Sequence, residues 1–103
     1  MASELRYSPQ FRDEIRQAVE YITYQLKNPI AASALIDAFD RAALAVAEFP
    51  LSINPWPTLR AHPLPYRAVQ VKHYLAFYVV DGDTVEFRRF LYARSDLPTK
   101  LDQ

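Results

Sequence analysis

The residues that this sequence lacks exclude several classes of protein. It contains no cysteine and only two histidines among its 103 residues, so it can form neither disulfides nor thiolate zinc sites. Its only glycine is Gly82, which leaves no glycine-rich loop to hold the phosphates of a nucleotide. We therefore expect a protein that uses neither a metal ion nor a nucleotide cofactor.

Net charge and long apolar runs are also missing. Twelve basic residues balance twelve acidic ones, so no net field draws the chain to a polyanion. No apolar run approaches the roughly 20 residues that span a bilayer, and the first residues lack the basic and apolar regions of a secretory signal. With half of its residues apolar, we expect a cytoplasmic protein that forms one domain over residues 1–103 and does not enter a membrane.

The first half of the sequence predicts one strand and a helical hairpin. Residues 5–8 suit a short strand, and Ser8 followed by Pro9 is typical of a helix start. Apolar side chains then recur every three or four residues until Asn28 and Pro29 end one helix and begin another. We expect the buried stripes of the two helices to be Phe11, Ile15, Val19, Ile22 and Leu26, and Leu35, Phe39, Ala42, Val46 and Phe49.

The second half predicts a loop followed by a β-meander. Five of the eight prolines fall between Pro50 and Pro65, in a segment without helical or strand periodicity that Trp56 is expected to anchor. Strands rich in valine and aromatic residues follow, at Tyr66–Val71, Tyr74–Val80 and Thr84–Tyr92. Gly82 lies between the last two strands, where a tight hairpin needs a positive φ.

The predicted order of elements is β-α-α-β-β-β. Such a sequence of elements is typical of an α+β fold, in which a two-helix hairpin packs on one face of an antiparallel sheet. The helix pair and the free edge of the sheet are then the surfaces on which a partner helix or strand would dock.

Several short pieces of the sequence also occur together, in this order, in a known family. They are Tyr7-Ser8-Pro9, Tyr21-Ile22, Pro29 with Ala31-Ala32, Phe49-Pro50, Tyr66-Arg67, the strand from Tyr74 to Asp81, and the segment from Phe90 to Asp96. In order and spacing the chain resembles the RelE/ParE superfamily of bacterial type II toxins. The resemblance implies a growth-inhibiting toxin that a cognate antitoxin neutralises by binding it.

Three mechanisms remain open under this resemblance. RelE-like toxins are metal-independent endoribonucleases that cleave mRNA on the ribosome, whereas ParE-like toxins inhibit DNA gyrase. A degenerate toxin retained as an antitoxin-binding module is the third possibility. The partners implied are thus an antitoxin, together with either the ribosome and mRNA or DNA gyrase.

The resemblance also nominates catalytic residues for the ribonuclease mechanism. Arg67 corresponds to a lysine early in the second strand of such enzymes, and Arg94 to the arginine after the last strand. Tyr92 occupies a position where some relatives have histidine. Lys72 and His73 lie in a turn nearby and are chemically suited to supply charge and proton transfer.

Two positions depart from the ribonuclease pattern. Val69 stands where RelE itself has a second lysine, and Leu75 replaces the arginine that the family commonly presents to the scissile phosphate. Losing one such oriented donor costs on the order of 10²–10³ in rate. Cleavage would therefore require a substitute such as Lys72 or His73, while Arg67 and Arg94 have the alternative role of pairing with acidic residues.

Overall fold

A computed structural model describes residues 2–58 and 61–101. Its three helices are α1 (Pro9–Glu20), α2 (Pro29–Glu48) and α3 (Leu97–Leu101), and a π-helical turn, Tyr21–Gln25, follows α1. Its four strands are β1 (Glu4–Tyr7), β2 (Arg67–Val71), β3 (Tyr74–Asp81) and β4 (Thr84–Tyr92). No helix within the described ranges is long and apolar enough to cross a membrane.

The four strands form one sheet in the order β1-β4-β3-β2. The antiparallel meander of β2, β3 and β4 is confirmed, and so is the α+β class with a helical hairpin on the sheet. The expectation of a wholly antiparallel sheet is wrong for β1, which runs parallel to β4. The two helices carry the chain back across the sheet after β1, and such a crossover allows parallel pairing with a later strand.

Both helices of the hairpin begin as the sequence predicts. Ser8 Oγ accepts a hydrogen bond from the Phe11 amide, and Asn28 Oδ1 accepts one from the Ala31 amide, each at 3.1 Å. A proline follows each cap at the first helical position, where its missing N–H costs nothing.

The ends of the two stripes differ from the prediction. Leu26 is 56% exposed and Phe49 63% exposed, although both were expected to be buried. After Glu20 the π-helical turn widens the helix, which shifts the phase of the apolar stripe before Leu26. Phe49 already has non-helical backbone angles at the C-cap of α2.

The sheet has a core on each of its faces. Against α1 and α2 lies the helix face, an aromatic-rich cluster that includes Phe11, Phe39, Tyr78, Phe87 and Phe90. On the opposite, outer face, Tyr66, Phe77, Val79, Leu91 and Leu101 pack together under Trp56. The Trp56 amide donates to the Tyr66 carbonyl at 2.7 Å, and its ring meets Phe77 edge to face, so the predicted anchor of the proline-rich loop is confirmed.

A buried ion pair joins α1, β4 and α3. The Glu14 carboxylate accepts hydrogen bonds from Arg89 Nε and Nη2 at 2.9 to 3.2 Å, and the Arg89 side chain is only 5% exposed. Glu14 Oε1 also accepts from the Phe90 amide at 2.9 Å, and Arg89 Nη1 donates to the Lys100 carbonyl. This arrangement holds the short α3 against the outer face.

Candidate functional site

The turn between β2 and β3 brings several candidate residues together at one end of the sheet. Val71 pairs with Tyr74, so Lys72 and His73 form a two-residue turn in which Lys72 has a φ of 56°. The Ala93 amide donates to the His73 carbonyl at 2.9 Å and ties the end of β4 to this turn. Tyr92, Lys72 and His73 therefore lie at the same end of the sheet.

This end of the sheet carries an apolar groove, called the tyrosine groove below. It has a volume of about 590 Å³ and separates the helix-hairpin tip from the β2–β3 turn. Its lining consists of Tyr21, Ile22, Leu26, Asn28, Ala31, His73, Tyr74 and Tyr92. Tyr21 and Tyr92 are each about half exposed, which leaves the groove open to a partner.

The three tyrosines of the groove converge. Tyr74 stacks on Phe90 with ring centroids 4.9 Å apart and meets Tyr92 edge to face at 5.7 Å. Burial raises the pKa of the Tyr74 hydroxyl, and the neighbouring Tyr21 and Tyr92 hydroxyls raise that pKa further. Tyr74 is thus protonated at neutral pH and is suited to hydrogen bonding rather than to acting as a base.

Arg67 lies far from this groove. It is the first residue of β2, so the length of that strand, roughly 16 Å, separates it from Lys72. Its Nη1 donates to the Ile53 carbonyl, which ties the proline-rich loop to the sheet. Arg67 pairs across the strands with Tyr78, whose hydroxyl pKa is raised by burial and lowered to a smaller extent by Arg67.

The remaining candidate positions divide between the solvent and the two cores. Arg94 is exposed and makes no ion pair with any residue in 2–58 or 61–101. Val69 packs on the helix-face core and Leu75 on the outer-face core. Val69 and Leu75 thus lie on opposite faces of the sheet, and an apolar side chain at each position contributes to the core on its own face.

The groove also contains residues that the sequence did not single out as functional. Tyr21 was noted only for the family resemblance and Leu26 only as part of a helix, yet both line the groove and are more than half exposed, at 52% and 56%. The available signal was two tyrosines, Tyr21 and Tyr24, placed off the buried stripe of the first helix. Across residues 2–58 and 61–101, no three His, Asp or Glu side chains gather as a metal site.

Comparison with known proteins assigns a family to the chain. The family model described as "ParE toxin of type II toxin-antitoxin system, parDE" matches residues 5–97. No curated protein sequence matches the chain.

Solved structures share the fold at low sequence identity. A chain of the chromosomal ParDE toxin–antitoxin system from P. aeruginosa has a TM-score of 0.71 at 12% identity, covering 90% of this chain and 98% of that one. A chain of the E. coli DinJ–YafQ complex has a TM-score of 0.60 at 14% identity, covering 87% and 92%. The toxin–antitoxin complex RelBE2 from Mycobacterium tuberculosis contains a chain with a TM-score of 0.59 at 17% identity, covering 89% and 99%.

Proposed function

The chain belongs to the ParE toxin family of type II toxin–antitoxin systems, and on that premise we propose that it inhibits growth by binding a cytoplasmic target rather than by cleaving RNA. DNA gyrase is the first candidate target, since gyrase inhibition is the activity that the ParE branch implies. A cognate antitoxin neutralises the toxin by binding it.

The observation that carries this proposal is the separation of the basic candidates. Cleavage through the 2′-hydroxyl requires a base, an acid and positive charge around one phosphate. Arg67 is held by the Ile53 carbonyl at the far end of β2, and apolar side chains occupy positions 69 and 75. Among the described residues, Arg67 is thus separated from Lys72, His73 and Arg94, so these four basic candidates do not surround one phosphate, whereas a binding toxin needs no such cluster.

A metal-independent ribonuclease of RelE type is the second candidate. It is favoured by the common position of Lys72, His73 and Tyr92 at the end of the sheet where the tyrosine groove opens. In that mechanism His73 or Tyr92 would handle the protons, and Lys72 with the exposed Arg94 would provide positive charge.

Induction of the chain, followed by parallel measurement of DNA and protein synthesis, separates the two candidates. We expect DNA synthesis to stop first while translation continues, and purified toxin to inhibit supercoiling by gyrase. An early stop of translation with cleaved mRNA would establish the ribonuclease instead. If neither synthesis responds, the chain is a degenerate toxin and the proposal is wrong.

Substitution of the candidate catalytic residues tests the ribonuclease mechanism. Loss of one transition-state donor lowers the rate by on the order of 10²–10³, so a nuclease would lose mRNA cleavage in an Arg67→Ala, Arg94→Ala double variant that still folds. Arg16→Ala is the matched control, because Arg16 makes only exposed ion pairs on α1. Co-expression with the product of the adjacent reading frame tests neutralisation, which should restore growth and yield a complex that co-purifies.

A further inference from the structure

The C-terminal end of α2 carries an exposed apolar surface, called the α2 patch below, which consists of Leu44, Ala45, Phe49 and Leu51. Leu44 is 67% exposed, Phe49 63% and Leu51 65%, and Ala45 is also exposed. The Ser52 amide and hydroxyl both donate to the Phe49 carbonyl, which holds this turn at the end of the helix. Large apolar side chains that gather on a surface mark an interaction site more often than isolated ones do.

The α2 patch is separate from the tyrosine groove. Ala31, in the first turn of α2, lines the groove. Leu44 lies roughly 20 Å farther along the same helix, at a rise of 1.5 Å per residue. A partner on the patch would therefore leave the groove open.

A cation and a carboxylate flank the patch. Arg41 lies three residues before Leu44, and Glu48 lies four residues after it, so all three share one exposed face of α2. Neither Arg41 nor Glu48 forms an ion pair within residues 2–58 and 61–101, although Asp37 lies one turn before Arg41. The two are roughly 10 Å apart along the helix axis, too far to pair with each other.

This arrangement of charges is complementary to itself. When two copies of α2 pack antiparallel about a two-fold axis between Leu44 and Ala45, Arg41 of each copy faces Glu48 of the other. An axis at Arg41 would bring two guanidinium groups together, and an axis at Glu48 would bring two carboxylates together. A parallel pair in register would oppose like charges at both positions. Only the antiparallel register centred on the patch pairs opposite charges.

We propose that the α2 patch is the interface of a homodimer, in which two copies of α2 pack antiparallel. Leu44, Phe49 and Leu51 are buried against the second copy, and reciprocal ion pairs of Arg41 with Glu48 fix the register. Ala45 lies beside the axis, where its small side chain lets the helices approach to roughly 8–10 Å. The inference goes beyond the proposed function, because neither a target nor an antitoxin contributes to this interface.

The size of the patch determines how strongly the dimer should form. Three large apolar side chains and two helical turns from each copy make an interface below the roughly 1,200 Å² of stable complexes. We therefore expect a weak dimer with a Kd of about 10–100 µM. Because its ion pairs are exposed at the edge of the interface, high salt should weaken it further.

Sedimentation velocity of the full chain, from about 1 to about 500 µM, measures the association. Leu44→Asp places two carboxylates at the axis and should weaken the dimer by at least about tenfold. Ile30→Asp is the matched control, because Ile30 is 82% exposed near the start of the same helix and should leave the dimer intact. Circular dichroism verifies that both variants fold.

Exchange of the flanking charges tests the register. Arg41→Glu alone and Glu48→Arg alone each oppose like charges in the dimer, so each should weaken self-association by at least about tenfold. An equimolar mixture of these two variants should associate again, because one supplies two carboxylates and the other two cations. A role of Arg41 and Glu48 confined to the stability of α2 would not produce this recovery.

A disulfide locates the axis. The chain contains no cysteine, so Ala45→Cys introduces a single thiol beside its copy in the dimer, within the roughly 4.4–6.8 Å between Cα atoms that a disulfide spans. Mild oxidation should then yield a covalent dimer. Ser33→Cys is the control, because Ser33 is exposed on the same helix but lies far from the axis.

Three outcomes overturn the inference. The first is a chain that stays monomeric at about 500 µM. The second is a dimer that survives Arg41→Glu or is not recovered in the mixture, which assigns the dimer to another face. The third is a monomer in which Leu44→Asp weakens binding of the product of the adjacent reading frame, which assigns the patch to the antitoxin. The toxin activity itself is judged separately, by the measurements of DNA and protein synthesis.

Discussion

The two hairpin turns of the sheet, at its opposite ends, each begin with a residue of positive φ, but that residue differs. Gly82 lies between Asp81 and Asp83, at the end called acidic here, and has a φ of 59°. Lys72 lies beside His73 and near Arg94, at the end called basic, and has a φ of 56°. Glycine adopts this conformation without steric cost, whereas lysine loses about 1 kcal/mol in it. The acidic end thus follows the preference of the backbone, while the basic end retains a cation against that preference.

The same contrast extends along β4. Its first residues, Thr84 to Phe87, pair with β1 through regular backbone hydrogen bonds. Beyond β1, the Phe90 amide has no strand partner on that side and donates to the Glu14 carboxylate instead. Side chains therefore replace backbone pairing toward the basic end, where the tyrosine groove lies. Departures from regular structure of this kind are expected near a functional surface.

The largest loss of stability should come from removing the Glu14 carboxylate, which holds Arg89 and the Phe90 amide in the second half of β4. Glu14→Ala leaves the buried guanidinium of Arg89 and the Phe90 amide without their acceptor. We expect the free energy of unfolding to fall by about 3–5 kcal/mol, as for other buried pairs that lose one partner. Urea denaturation measures this loss. Glu20→Ala, which removes only an exposed ion pair with Arg16, is the control and should cost under about 0.5 kcal/mol.

A smaller loss of stability is expected from substitution of Ser8, which is hydrogen-bonded to the middle of β4. Its hydroxyl accepts from the Phe11 amide and donates to the Arg88 carbonyl, each at 3.1 Å. Ser8→Ala removes the cap of α1 and that second bond, which should cost about 1–2 kcal/mol by thermal melting. Ser8→Asp keeps an acceptor for the cap, so a loss as large as that of alanine would contradict the capping role.

Gly82→Ala measures what the acidic turn gains from glycine. An added Cβ would meet no atom within 4 Å, so the cost arises only from the φ of 59°. We expect the free energy of unfolding to fall by about 1 kcal/mol. An unchanged denaturation midpoint would show that the turn relaxes to another conformation.

Lys72→Gly should have the smallest effect and the opposite sign. Glycine relieves the left-handed strain but increases the entropy of the unfolded chain, which leaves a gain of about 0.5 kcal/mol in stability. If Lys72 serves partner binding, the stabilised variant should at the same time bind the antitoxin more weakly. Greater stability combined with unchanged affinity would show that Lys72 does not contribute to antitoxin binding.

The parts of the fold that sequence reasoning predicts depend on local signals. Ser8-Pro9 and Asn28-Pro29 start the two helices, and Gly82 closes the hairpin where a positive φ is required. Each of these preferences resides within a few neighbouring residues, so the pattern alone is sufficient to place the element.

The features that the sequence does not predict depend on distant residues. The parallel pairing of β1 with β4 joins opposite ends of the chain, and the ion pair of Glu14 with Arg89 does the same. The hydrogen bond from Arg67 to the Ile53 carbonyl depends on the path of the irregular proline-rich loop. The catalytic roles of Arg67, Arg94, Tyr92, Lys72 and His73 stay predictions, although the structure gathers only the last three and Arg94 near one end of the sheet.

The charged residues of the two hairpin turns give the sheet an uneven charge distribution although the protein has no net charge. Asp81 and Asp83 lie at one end of β3 and Lys72 at the other, so these groups contribute a dipole component along the strands. A charged partner is then rotated into register as it approaches, even though it feels no net attraction from afar. At low ionic strength such a protein should be retarded on both cation and anion exchangers, a behaviour that its isoelectric point of about 6.7 does not reveal.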